Sequence, residues 1–164
     1  MKNTYKISIL VSFLAVLFFA GNSFAQMSLS EGLTAAKSSN KKIVLFIGSS
    51  SDTWTKKMQS EVYTNAGVQS ALANFVWVSL DADSKTPVTY DGKSTTVADL
   101  AKSFNTTGYP SHVFLNPDGS VIKFKYNGEE VMNFAGYMEA GEFQKMLNFF
   151  SSDQYKNTDL SKVL

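Results

Sequence analysis

Ser49, Ser50, Ser51 and Asp52 stand side by side, and the chain has a single histidine, His112. A nucleophile, a base and an orienting acid are the parts of a serine hydrolase, so these residues are the first chemistry the sequence offers. Their pattern speaks against it. No Gly-x-Ser-x-Gly elbow is present, and an aspartate beside serines where a helix begins is the ordinary composition of an N-cap. His112 occupies an apolar stretch, where a neutral, hydrogen-bonded histidine is the expected state. Cysteine is absent from all 164 positions, which removes thiol nucleophiles, disulfides and thiolate metal ligands together. With one histidine besides, no zinc ligand set remains, and no cofactor is called for. Met58 and Met146 fall on apolar helical faces, as core-filling methionines do. The pairs Lys41-Lys42 and Lys56-Lys57 belong to a balanced chain and read as solvated faces rather than a nucleic-acid surface.

The elements that must position these residues begin after an N-terminal leader. Lys2 and Lys6 precede an apolar run from Ile7 to Ala20, and Ser23-Phe24-Ala25 supplies small residues before Gln26. That plan predicts a secretory signal peptide over residues 1–25. Its removal leaves 139 residues and moves the formal charge from +1 to −1, so charge selects no partner. A chain of that size can bury a core unaided, and the mature protein is expected to be soluble, with no membrane attachment. Oligomeric state cannot be read from the sequence.

Ser28 and Glu31 have capping-box spacing ahead of Leu29, Leu33 and Ala36, which predicts a first helix. Ile43–Ile47 and Phe75–Leu80 are continuous apolar runs of the kind buried on both faces of a sheet. A helical stretch with Trp54, Met58 and Val62, a break near Gly67 and a turn with Val68 and Leu72 join them, so the two strands should be parallel. Residues 84–96, with Pro87 and Asp91-Gly92, read as an exposed insertion loop. Val97, Leu100, Ala101 and Phe104 mark one face of the next helix. His112–Leu115, the turn Asn116-Pro117-Asp118-Gly119 and Val121–Tyr126 read as a hairpin. Phe143, Met146, Leu147 and Phe150 give a last buried helical face, and the tail 151–164 is expected to be loosely attached. The domain boundaries are therefore 1–25, 26–150 and 151–164.

Taken in order, the strand ending at Gly48-Ser49, the segment Trp54-Thr55-Lys56-Lys57-Met58, the strand ending Asp81-Ala82-Asp83, then Gly108-Tyr109-Pro110-Ser111, Val113–Gly119 and Gly136-Tyr137 resemble the thioredoxin superfamily, particularly its exported thioredoxin-like branch. The resemblance covers roughly residues 31–150. It implies an α/β fold with a central mixed sheet of about four strands flanked by helices, and a periplasmic or secreted location. It also implies that Asp52, Thr53, Trp54 and Thr55 stand where relatives carry Cys-x-x-Cys. Asp52 would keep a negative charge at the helix start without a thiolate's reactivity. Tyr109-Pro110 would be the family's cis peptide bond. Trp54, Tyr109, Pro110 and Ser111 would form a shallow peptide-binding edge, since strand addition to an extended peptide needs no sulfur. The expected function is a redox-inactive module that binds an extended peptide or exported protein. A non-thiol hydrolase in the same cleft and a structural accessory domain are the alternatives.

Overall fold

The computed structural model describes residues 27–164; the signal peptide and cleavage site expected from the sequence lie outside the described residues. Fold and core follow from the alternation along one strand. In β1 (Ile43–Gly48) every residue is buried. Its side chains project to opposite faces of the sheet in turn: Val44 and Phe46 enter one apolar cluster, and Ile43, Leu45 and Ile47 the other.

The central sheet has four strands, in the order Val76–Asp81 (β2), β1, Ser111–Leu115 (β5) and Asn133–Ala135 (β8). β2 (Val76–Asp81) runs parallel to β1 with Ile43 opposite Val76 and Gly48 opposite Asp81. β5 (Ser111–Leu115) runs antiparallel to β1 and places His112 opposite Phe46. On one face lie α1 (Leu29–Ser39) and α4 (Val97–Ser103), which contribute Leu29, Ala36, Val97, Leu100 and Ala101. On the other lie α2 (Thr53–Lys57), a π-helical turn over Met58–Val62, α3 (Ala66–Leu72) and α5 (Ala140–Ser151). Phe143, Met146, Leu147 and Phe150 of α5 are all fully buried, and Met58 joins them. The capping box forms, with Ser28 Oγ accepting from the Glu31 amide at 3.3 Å and Glu31 Oε2 accepting from the Ser28 amide at 2.9 Å. Asn65, not Gly67, opens α3, by accepting from the Gly67 and Val68 amides. Among the described residues, no helix is long and apolar enough to cross a membrane.

Three expectations change. Residues 84–96 are not simply a loop: β3 (Val88–Tyr90) and β4 (Lys93–Thr95) form a hairpin around Asp91-Gly92, both at positive φ. That turn matches the strand twist, and Tyr90 ties the hairpin down by donating to the Gly119 carbonyl at 2.8 Å.

The hairpin expected between His112–Leu115 and Val121–Tyr126 survives only at its base, where Leu115 bridges Val121 and the Ile122 amide donates to Phe114. Beyond it, β6 (Phe124–Tyr126) turns at Asn127-Gly128 and pairs with β7 (Glu129–Val131). Phe124 drives the departure, because its ring is buried edge-on against Phe150 at 5.0 Å. The outer partner of β5 is instead β8 (Asn133–Ala135).

The tail is not loose. Leu160 is fully buried in the α5-side core, and Tyr155 stacks on Phe150. Lys42 reaches across to Asp153 at 2.6 Å. The Asp159 carboxylate accepts the Asn127 and Gly128 amides at 3.1 and 2.7 Å. Together with Ser161, whose hydroxyl has the largest effect, these bonds hold the Asp159 pKa down at about 2. A few well-placed contacts suffice where average hydrophobicity is low.

Candidate functional site

β1 ends at Gly48, and the chain must turn there into α2. A β-carbon at Gly48 would meet Thr55 Cγ2 at 2.6 Å, so glycine is what allows α2 to sit against the strand end. Asp52 caps the helix as expected: its Oδ2 accepts from the Thr55 amide at 2.6 Å. Thr55 is buried, and its hydroxyl accepts from the Ser49 amide at 3.3 Å. Of the four positions that would carry the redox motif, Asp52 and Thr55 therefore serve the turn itself. Trp54 faces outward and is 52 % exposed.

The turn's other anchor is Asp83, just beyond β2, which the sequence reading did not single out as a site residue. One oxygen, Oδ2, collects the Ser49 hydroxyl at 2.8 Å, the Ser50 hydroxyl at 3.1 Å and the Ser51 amide at 3.0 Å. Asp81 Oδ1 accepts from the Ser50 amide at 3.1 Å and the Asp83 amide at 3.0 Å. The hydrogen bond from Ser49 is the main reason the Asp83 carboxyl lies below the usual range, with Ser51 and Ser50 adding to it. The serines are thus donors to a carboxylate that stays ionised.

His112 is elsewhere. It is fully buried, its Nε2 lies 2.7 Å from the Tyr63 hydroxyl, and the rings of Phe46 and Phe143 flank it. Nδ1 makes no hydrogen bond of good geometry. Burial drives the imidazole pKa down to about 3, and the nearby Phe134 backbone offsets this only in part. The histidine is neutral, as expected, and wholly enclosed. Among the described residues His112 bonds Tyr63 and no serine, so Ser49, Ser50 and Ser51 are not paired with it.

At the end of β5 the Tyr109–Pro110 peptide bond is cis. The four residues expected at a peptide edge divide. Pro110 and Ser111 are buried, and Ser111 is paired on both sides, to Ile47 of β1 and Ala135 of β8. Tyr109 is half-buried, and its backbone N–H and C=O have no backbone partner among the described residues. Burial, and after it the charge of Asp83, raises its phenol pKa, so the turn's anchoring carboxylate is close enough to be felt at Tyr109. Trp54 pairs not with Tyr109 but with Tyr137, at a ring distance of 5.4 Å. Lys57 covers both rings, 5.5 Å from Trp54 and 4.6 Å from Tyr137. The Gly136-Tyr137 pair was visible in the sequence. That it meets Trp54 across 83 residues was not.

With this geometry in hand, comparison places the chain among known proteins. A family model described as a thioredoxin-like domain matches residues 29–151. No curated protein sequence matches the chain. A thioredoxin-fold protein from Helicobacter pylori superposes with a TM-score of 0.61 at 16 % identity, covering 76 % of this chain and 80 % of that one. A thioredoxin from Thermus thermophilus gives 0.54 at 24 % identity, covering 76 % and 85 %. At such identities the likeness is one of fold.

Proposed function

The chain belongs to the thioredoxin-like domain family, and from that premise we propose that it is an exported, periplasmic binding module that takes an extended segment of another protein along the Tyr109 edge. Thiol-disulfide exchange begins with attack by a thiolate on a disulfide sulfur, and this chain has no cysteine to supply one. Asp52 and Thr55 hold the helix start in shape, and three serines bound to Asp83 hold the approach to it. The turn becomes a rigid rim. Export rests on the leader read from the sequence.

The observation that carries this reading is the backbone of Tyr109. Its peptide groups are free of backbone partners at a point where the strand beyond it is fully paired. A free donor and acceptor at a strand end form the start of a ladder that an extended peptide can continue, with affinity from main-chain bonds and selectivity from neighbouring side chains. The exposed Trp54 ring, braced by Tyr137 and Lys57, is the nearest candidate for the second role.

The test is a photo-crosslinking residue placed at Tyr109 in cells, with the same probe at exposed Lys125 as control, read by mass spectrometry. One reproducible partner at Tyr109 and none at Lys125 is expected, and Trp54→Ala should weaken its capture without lowering the melting temperature. Equal labelling from both positions, or none from Tyr109, would leave the structural accessory role as the better account.

A further inference from the structure

β2 is an outer strand of the central sheet, and half of its backbone groups point away from β1. The Val76 amide donates to the Lys42 carbonyl and the Ala82 amide to the Gly48 carbonyl. Even-numbered residues from 76 to 82 therefore serve the parallel ladder, and odd-numbered ones face outward. The Ser79 N–H and C=O and the Asp81 N–H accordingly have no hydrogen-bond partner among the described residues, while the Asp81 carbonyl accepts the Ser84 amide.

Proteins ordinarily blunt an open edge by shortness, a proline, a charge or a covering element. The other outer strand, β8, is three residues long, and the small sheets carry Lys93 in β4, Lys125 in β6 and Glu129 and Glu130 in β7. β2 has none of these devices along its length. It reads Val-Trp-Val-Ser-Leu-Asp, six residues with one charge, at the last position.

A second observation lies on the same strand. Trp77 and Ser79 stand opposite Val44 and Phe46 of β1, and the Trp77 ring is stacked on Phe46 at 5.7 Å and edge-on to Tyr63 at 4.8 Å. Ser79, next on that face, is too small to continue the aromatic wall. A hollow of about 420 Å³ opens there, lined by Phe46, Tyr63 and Trp77 and, from the helical side, by Lys56 and Gln59. Backbone groups that can extend a ladder and a hollow that can hold a side chain thus meet at one residue.

We propose that the β2 edge takes up an extended segment of another protein as a fifth strand, with a large apolar side chain opposite Ser79 seated in the hollow. Main-chain bonds to Ser79 and Asp81 supply affinity, and the hollow selects the side chain. A second copy of this chain is a poorer occupant. Antiparallel pairing of two β2 edges sets Trp77, Ser79 or Asp81 of the second copy against Ser79, since only those residues face outward. Serine and aspartate bring no apolar group, and the Trp77 ring is held by its own Phe46 and Tyr63. The β2 edge shares no residue with the Tyr109 edge, so the two readings stand or fall separately.

The probe is a capped heptapeptide, Thr-Lys-Thr-Phe-Thr-Lys-Thr, titrated into the ¹⁵N-labelled protein. Saturable shifts centred on residues 77–81, with slowed exchange of the Ser79 and Asp81 amides, are expected. Alanine in place of its phenylalanine should weaken binding about tenfold, as for partial burial of one aromatic side chain. In Ser79→Leu, which fills the hollow from within, the two peptides should bind alike. An added strand bonds through alternate residues. N-methylation of the phenylalanine and both lysines, or of the threonines, should therefore abolish binding in one peptide and spare it in the other. The methylated peptides need only the wild-type protein, so they decide the matter even if Ser79→Leu does not fold. Equal effects of the two methylation patterns, shifts centred on Tyr109 instead, or no saturable shift at millimolar peptide would overturn the proposal. So would Ser79 and Asp81 amides already protected before peptide is added: in a dimer seen by sedimentation this would give the edge to a second copy, and in a monomer to a segment of the same chain.

Discussion

Two polar clusters lie within three residues of each other along β1 and solve the same problem in opposite ways. Past Gly48, the serines and Asp83 form a network at the surface, where water screens whatever the hydrogen bonds leave unsatisfied. Opposite Phe46, His112 and Tyr63 form one bond inside a shell of aromatic rings, with no water-facing atom on the histidine. In the first, charge is kept and reactivity is lost. In the second, charge is suppressed by burial. The contrast teaches that the polar residues closest to looking catalytic in the sequence divide between a rim and a core, and that stability should depend far more on the buried pair.

The largest expected effect is therefore at the pair. His112→Ala removes a packed ring and orphans the Tyr63 hydroxyl, and a loss of about 2 to 5 kcal/mol is expected in denaturant unfolding. Tyr63→Phe leaves the histidine without its one hydrogen bond and should cost about 1 to 3 kcal/mol. Similar stability of Tyr63→Phe and the wild type would mean that the bond is incidental to the packing.

Acid sharpens the comparison. The folded pKa of His112 is about 3 against an ordinary 6.5. Between those values the unfolded chain takes up a proton that the folded chain refuses, so stability falls as pH falls, by at most about 1.4 kcal/mol per pH unit. Measured between pH 6.5 and 5.5, this slope is separated from the carboxylates, whose lowered folded pKa values cost stability only as pH falls through their ordinary values, 4.5 for Glu31 and 3.8 for Asp83, Asp99, Asp118, Asp153 and Asp159. His112→Gln, whose amide does not titrate in this range, should flatten the slope. A slope of the same size in that variant would assign the acid sensitivity to other groups.

Much of this was legible in the sequence, and the rest was hidden for physical reasons. The runs Ile43–Ile47 and Phe75–Leu80, the box at Ser28 and Glu31, and the faces of α4 and α5 are local patterns, and each was borne out. Asp52 as N-cap was equally local. Asn133–Ala135 is too short to show a period, so β8 was missed and Val121–Tyr126 was given its place. Leu160 is one of a few apolar residues scattered through a polar tail, and only its burial in the α5-side core gives it meaning. Asp83 and Tyr137 are the site's hidden members. Both stood in quoted motifs, but a contact between Ser49 and Asp83, or between Trp54 and Tyr137, is created by the fold and leaves no spacing to read.

Smaller effects belong to the exposed network. Asp83→Asn keeps the size of the side chain but replaces a carboxylate with a weaker acceptor for Ser49, Ser50 and the Ser51 amide. A small fall in melting temperature is expected, well below that of either change at the pair, together with faster amide exchange at Ser51. An unfolding as severe as that of His112→Ala would reverse the ranking of rim and core.

The smallest expected effect separates two roles of Asp52. As N-cap it accepts the Thr55 amide, and as an anion it faces the positive end of a helix only five residues long before the π turn begins. Asn accepts the same hydrogen bond without charge and ranks with Asp at N-caps, whereas Ala lacks an acceptor and costs about 0.5 to 2 kcal/mol. Asp52→Ala should therefore destabilise by about 1 kcal/mol, and Asp52→Asn by no more than the ~0.3 to 1 kcal/mol that a charge gains from a helix dipole. If the two variants melt together, charge is what matters at this position. If Asn is indistinguishable from wild type, Asp52 is there for one hydrogen bond.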